Sequence, residues 1–206
     1  MGAKERRERE REQRKSYILD TARALLLEKG LNATSINQIA KRSELSVGAT
    51  YFYFKDKEEL FATLQVEGLE LLHQTIHQAV DKEAPPEEKI RSIARAYLLF
   101  SEEHKNYFDI INYFLTSPTT IFPPDLKNKI DEHGNASIFT LTTAIREGID
   151  SGQFKAVDPR RQAIILWSAF HGMIQLKKLE KTILVKDEYQ SLYMETLDRF
   201  LDGLRR

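Results

Sequence analysis

Three helix-start signals crowd into residues 34–60, TSINQIAKRSELSVGATYFYFKDKEEL, and they leave little freedom for what the chain can be. Ser35 followed three residues later by Gln38 has capping-box spacing, so a helix is predicted from Ile36 to about Ser43 with Ile36, Ile39 and Ala40 inward. Glu44 and Leu45 leave room only for a tight turn. Ser46 then caps a second helix, Val47 to about Phe54. Asp56 with Glu59 opens a third, longer one. Two helices this short, joined by a turn this small, must cross steeply. That is the helix-turn-helix, here about residues 36–55, whose second helix fits a DNA major groove. An unpartnered helical hairpin would share the caps. It would not need small residues at the head of its second helix.

The candidate DNA contacts follow from that geometry. Gly48 and Ala49 keep the first turn of the second helix slim, and its free N–H groups favour a phosphate. Tyr51 and Tyr53 carry hydroxyls for backbone phosphates, while Phe54 anchors the helix in the core. Thr34 and Lys57 flank the motif, and Lys57 lies in a first helical turn that already favours an anion. Thr50 is expected to make a polar contact that biases sequence preference. With Ser35, Ser46, Val47 and Phe52 these residues form the candidate DNA-binding set.

The same stretch resembles the DNA-binding signature of the tetracycline-repressor (TetR) family of bacterial transcription regulators. The resemblance begins near Ile18 and runs to Leu60. Gly30, Thr34, Ile39, Ala40, Ser46, Gly48, Tyr51, Phe54, Lys57, Glu58 and Leu60 fall in register. Glu44-Leu45 departs from the usual Gly-Val of the turn, and Thr50 stands where an apolar residue is common. The resemblance implies an all-α chain of about nine helices. An N-terminal three-helix DNA-binding domain would be followed by a helical domain for ligand binding and dimerisation.

Composition agrees with two functions in one chain. The net charge of zero hides an asymmetry: residues 1–57 hold thirteen Lys/Arg against eight Asp/Glu, and the remainder eighteen against twenty-three. A basic end on an acidic body suits a DNA reader. With no cysteine there is no disulfide framework or thiolate metal site. No apolar run spans a bilayer and the N-terminus is charged, so a cytoplasmic protein without a membrane partner is expected. The expected division is a charged extension (1–15), the DNA-binding domain (16–60) and the ligand and dimer domain (61–206). The run KERREREREQRK (4–15) either extends the first helix through i,i+4 pairs or forms an arm or solvated tail.

The rest reads as helices only. Ile18, Ala22, Leu25 and Leu26 share one face of a helix from about Lys15 to Lys29, stopped by Gly30. A long helix follows Asp56 to about Val80. Its Glu70, His73 and His77 share a face that either holds a divalent metal or is a polar surface, and no metal is expected. Pro85-Pro86 marks a boundary. Helices then cover about 87–104, 105–115, 125–151 and 158–181, with a Pro-broken loop at 117–124. A last helix is boxed by Asp187 and Gln190.

The resemblance assigns two uses to the apolar excess in these helices. One is a homodimer, with Leu166, Ala169, Phe170, Met173, Leu192, Tyr193, Leu197 and Phe200 as the expected seam and Gly172 permitting close approach. The other is a ligand pocket, with Tyr97, Phe100, Phe108, Asn112, Phe139, Trp167 and His171 as candidates, each also explicable as core. The implied mechanism is allosteric repression: an apolar or amphipathic effector tilts helix 56–80 and frees a palindromic operator. A DNA-binding factor without a ligand, or regulated by a partner, is the alternative. No glycine-rich phosphate loop, GxSxG or HExxH supports an enzyme, and no cofactor is expected.

Overall fold

The computed structural model describes residues 2–30, 33–116, 122–180, 182 and 188–206. Among them run nine α-helices: α1 (Ala3–Lys29), α2 (Ile36–Arg42), α3 (Val47–Tyr53), α4 (Lys57–Ala79), α5 (Pro86–Glu103), α6 (Lys105–Leu115), α7 (Pro124–Asp150), α8 (Pro159–Leu176) and α9 (Tyr189–Leu204). A 3-10 turn, Lys177–Leu179, follows α8. The all-α architecture is as expected.

Local chemistry sets most helix ends. Gly30 adopts φ 76° and its N–H donates to the Leu26 carbonyl, closing α1. Gly152 ends the α7 region at φ 78°. Asp158 accepts the Arg161 N–H at 3.0 Å, and Pro159 occupies the first position of α8. Pro124, expected in the loop, is the first residue of α7. The rest of the expected 117–124 loop, up to residue 121, lies outside the described residues, and so does Asp187 of the expected cap of α9. The charged run 4–15 is helical and belongs to α1, where Arg6 and Glu10 pair at 3.5 Å.

The chain forms two compact units, one of residues 1–69 with 105–131 and one of 70–104 with 132–206. The division falls inside α4 and α7 rather than at residue 60. In the first unit, Ile18, Leu25 and Leu26 of α1 meet Ile36 and Ile39 of α2, Phe54, Leu60 and Leu64 of α4, and Ile110 of α6. Arg23 ties three helices together: its guanidinium lies 4.3 Å from the Tyr107 ring centroid and pairs with Glu67 at 3.3 Å and Asp20 at 2.7 Å. Burial raises the Glu67 carboxyl above its usual value, and Arg23 opposes that rise.

The second unit packs α5, α8 and α9 around Phe100, Phe170 and Tyr193, all fully buried. The rings of Phe170 and Tyr193 stack at 4.8 Å, and the Tyr193 hydroxyl donates to the Ala94 carbonyl at 2.8 Å. Phe154 seats against Gly148, where an added Cβ would lie 2.1 Å from the ring, so only glycine fits. Arg205 grips Glu87, Arg91 joins Asp198 at 2.7 Å, and the two arginines hold the Glu87 carboxyl below its usual value, Arg205 first.

Candidate nucleic-acid interface

The two short helices are capped as the sequence implies. Ser35 Oγ accepts the Gln38 N–H at 3.3 Å, and Gln38 Oε1 accepts the Ser35 N–H at 3.1 Å. Ser46 Oγ accepts the Ala49 N–H at 3.0 Å, opening α3. Asp56 accepts the Glu59 N–H at 2.7 Å, while Glu59 reaches back one residue further, to the Lys55 N–H at 2.6 Å. The turn between α2 and α3 is a Schellman closure. The Leu45 N–H donates to the Ala40 carbonyl at 2.9 Å and the Glu44 N–H to the Lys41 carbonyl at 3.3 Å. It places Glu44 at φ 55°, the left-handed region that favours glycine. Outside the turn, Arg42 makes a two-pronged pair with Glu28 at 2.6 and 2.7 Å, which holds the Glu28 carboxyl below its usual value.

This frame decides which α3 residues reach the surface. Tyr51 is 50% exposed, Phe52 70% and Val47 38%. Ser35, Ser46 and Gly48 are exposed as well, and a Cβ at Gly48 would meet nothing within 4 Å. Nothing inside the chain therefore asks for glycine there. Ala49 and Tyr53 are half-buried. Burial lowers the half-buried Lys57 ammonium below its usual value, and its Nζ lies 5.4 Å from the Phe61 ring centroid.

Two expected contacts are corrected. Thr50 is fully buried, and its hydroxyl bonds back to the Ser46 carbonyl at 3.3 Å, so the side chain faces the core and not a base. Thr34 is also fully buried, its hydroxyl bonded to the Gly30 carbonyl at 2.8 Å, which removes it as a phosphate donor. Of the alternatives for the charged run, the structure has the helical extension. The helical 4–15 run brings cations beside α3: Arg11 lies 5.8 Å from the Phe52 ring centroid and Lys15 5.9 Å from that of Phe54.

The expected dimer seam is corrected in part. Leu166, Phe170, Tyr193 and Leu197 are fully buried in their own unit's core and have no face to offer. Ala169, Met173, Leu192 and Phe200 are half-buried. The exposed apolar stripe of α8 consists of Ile164, Ile165 and Leu176, with Gly172 open to space beside them.

The expected pocket residues scatter. Tyr97, Trp167 and His171 do meet: the Tyr97 ring lies 4.2 Å from Trp167, and its hydroxyl shares a 2.8 Å hydrogen bond with His171 Nδ1. Burial pushes the His171 imidazole below its usual value. Phe100 is buried in the core. Phe108 and Asn112 belong to the first unit. Phe139, 62% exposed, lines a cavity of about 510 Å³ in the second unit, together with His73, His77, Ile93, Thr143 and others from α4, α5 and α7. That volume suits a small molecule. Glu70 lies 3.4 Å from His133, and among the described residues no three His, Cys, Asp or Glu could hold a metal ion. No helix among them is long and apolar enough to cross a membrane.

A capped helix-turn-helix on an all-α chain, with a second helical unit behind it in sequence, defines a DNA-binding transcription regulator. Two family models match the chain: "Bacterial regulatory proteins, tetR family" over residues 18–64, and "Tetracyclin repressor-like, C-terminal domain" over 90–200. The chain belongs to the TetR family, whose members are regulators that bind DNA operators and are not enzymes. Among its relatives is the uncharacterized HTH-type regulator YhgD of Bacillus subtilis, 26% identical over 78% of this chain and 82% of that one. Another is the fatty acid metabolism regulator protein of the same organism, 25% identical over 67% and 69%. Among solved structures, the SmeT–triclosan complex superposes with a TM-score of 0.73 at 20% identity, covering 94% of this chain and 92% of that one.

Proposed function

We propose that this protein is a cytoplasmic, homodimeric repressor that reads a palindromic operator through α3 and is released by a small apolar or amphipathic molecule held in its second unit. The observation that carries the DNA reading is the outward face of α3. Val47, Gly48, Tyr51 and Phe52 present exposed surface on a firmly capped helix, and at Gly48 a Cβ would meet nothing within 4 Å. A single seven-residue helix buries too little for tight specific binding, so two copies are needed, about 34–36 Å apart on successive major grooves. Ile164, Ile165 and Leu176, with Gly172 open beside them, supply the apolar stripe for that second copy.

The release arm is supported by the cavity, by a relative named for fatty acid metabolism and by a structural neighbour bound to triclosan. His73 and His77 stand on the same helix as Lys57, α4, whose residues belong to both units. An effector acts only if it binds the DNA-incompetent state better. The test is selection of an operator from random duplexes, followed by fluorescence anisotropy with and without candidate effectors. Saturable, sequence-selective binding that an effector reverses supports the reading. Selective binding that no effector reverses supports the ligand-independent alternative.

A further inference from the structure

We infer that the α4–α5–α7 cavity is built for an amphipathic carboxylate: an apolar body with one anionic head. This rests on the reading above that the second unit holds an effector, and it names the effector's chemistry. The cavity is lined within one unit by helices that also pack its core. Val80, Ile93, Phe139 and Ala144 give it apolar walls. Phe139 leaves 62% of its surface uncovered, an apolar area that a ligand body would bury.

The polar lining is sparse and lopsided in charge. His73 Nδ1 and Thr143 Oγ1 are buried atoms with no hydrogen-bond partner among the described residues. Such orphaned groups are rare, and each calls for a reason. Both side chains line the cavity, and rotating either one would turn a hydrogen-bonding group toward a ligand's polar head. Glu147, the single acid of the lining, is already bound by Lys89 at 2.7 Å. Lys82, exposed at the cavity's edge, has no acidic partner among the described residues. The lining thus offers hydrogen-bond donors and one uncommitted cation, and its only anion is spent. A cationic ligand would find no free counter-charge. A neutral ligand would leave the lysine unused. A carboxylate head accepts from the Thr143 hydroxyl and an imidazole N–H and is neutralised by Lys82, which yields charge-assisted hydrogen bonds.

The test holds the body constant and varies the head. Binding of decanoate, 1-decanol and decylammonium to the DNA-free, full-length protein is measured by calorimetry at neutral pH. Decanoate is expected to bind about tenfold or more tighter than the other two, the size of one good charge-assisted contact. Lys82→Ala, an exposed change that leaves the core untouched, should bring decanoate down to the level of decanol and leave decanol unaltered. Thr143→Val should weaken decanoate in the same sense. The inference is overturned if decanoate fails to bind, if decanol or decylammonium matches it, or if neither substitution weakens it. Operator release is then scored separately on the same samples. Decanoate that binds with this head-group preference but frees no DNA upholds the inference and defeats the release reading. A non-acid that occupies the cavity more tightly than decanoate and frees DNA does the reverse.

Discussion

Replacing Glu44 by glycine should strengthen the turn that sets the angle of the reading helix. Glu44 sits at φ 55°, where an L side chain crowds its own backbone. That crowding costs about 1–2 kcal/mol. Glycine removes it, but frees the unfolded chain by about 0.4–1 kcal/mol. The side chain is exposed, so no packing is lost. The net gain is then about 0.5–1 kcal/mol. The proper reference is Glu44→Ala, which removes the same charge and keeps the Cβ. In urea, with a slope of about 2 kcal/mol per molar, glycine should raise the midpoint over alanine by about 0.3–0.5 M. Far-UV circular dichroism follows the helices, while Trp167, the only tryptophan, reports on the second unit. If the glycine variant is no more stable than the alanine variant, Glu44 holds no strain at its positive φ.

Other expectations follow from single contacts. Lys57→Ala should reduce the slope of log affinity against log salt by about 0.9, one phosphate's share. Tyr51→Phe, losing a neutral donor, should weaken operator and random DNA alike with the slope unchanged. Fluorescence anisotropy across salt separates the two, and an unchanged slope for Lys57→Ala removes it from the phosphate contacts. Ile165→Glu should give a folded monomer by sedimentation, whereas Leu197→Glu, placing a charge in a closed core, should unfold the unit. A folded monomer from Leu197→Glu would show that the core assignment is wrong. Glu87 is held below its ordinary 4.5 by Arg205 and Arg91, so it stabilises the fold fully above that value and loses this effect as pH falls through its lowered one. Glu87→Gln should therefore cost stability in urea at pH 7 and much less near pH 3. An equal cost at both would mean that the carboxylate's charge is not what matters.

What could be read from the sequence was local. The Ser35–Gln38, Ser46–Ala49 and Asp158–Arg161 caps each join residues three apart, so their spacing alone carries the geometry. Direction was harder. On α8, Leu166 with Phe170 and Ile164 with Ile165 all fit helical periodicity, and which pair turns inward depends on α5 and α9, far away in sequence. Thr50 carried its own clue. It occupies a place where an apolar residue is common, and such a place faces a core; its hydroxyl is accommodated by bonding back to Ser46. The cavity left almost no trace, because a space is set by where side chains stop. Aromatics drew attention, yet Tyr97 and Phe100 fill the core. The usable signal was the otherwise unexplained His73 and His77 face.

The first compact unit is interrupted: the chain leaves it after Leu69 and returns at Lys105, bringing Ile110 into the same core as Ile18 and Leu64. During synthesis at about 5–20 residues per second, the thirty-five residues of that detour take roughly 2–7 s. For that interval a nascent DNA-reading head has its α2 and α3 made but an open seat where α6 belongs, with Arg23 still waiting for Tyr107. The reading head is thus encoded first and completed late. A fragment that stops at the end of the DNA-binding signature would carry that same exposed seat permanently.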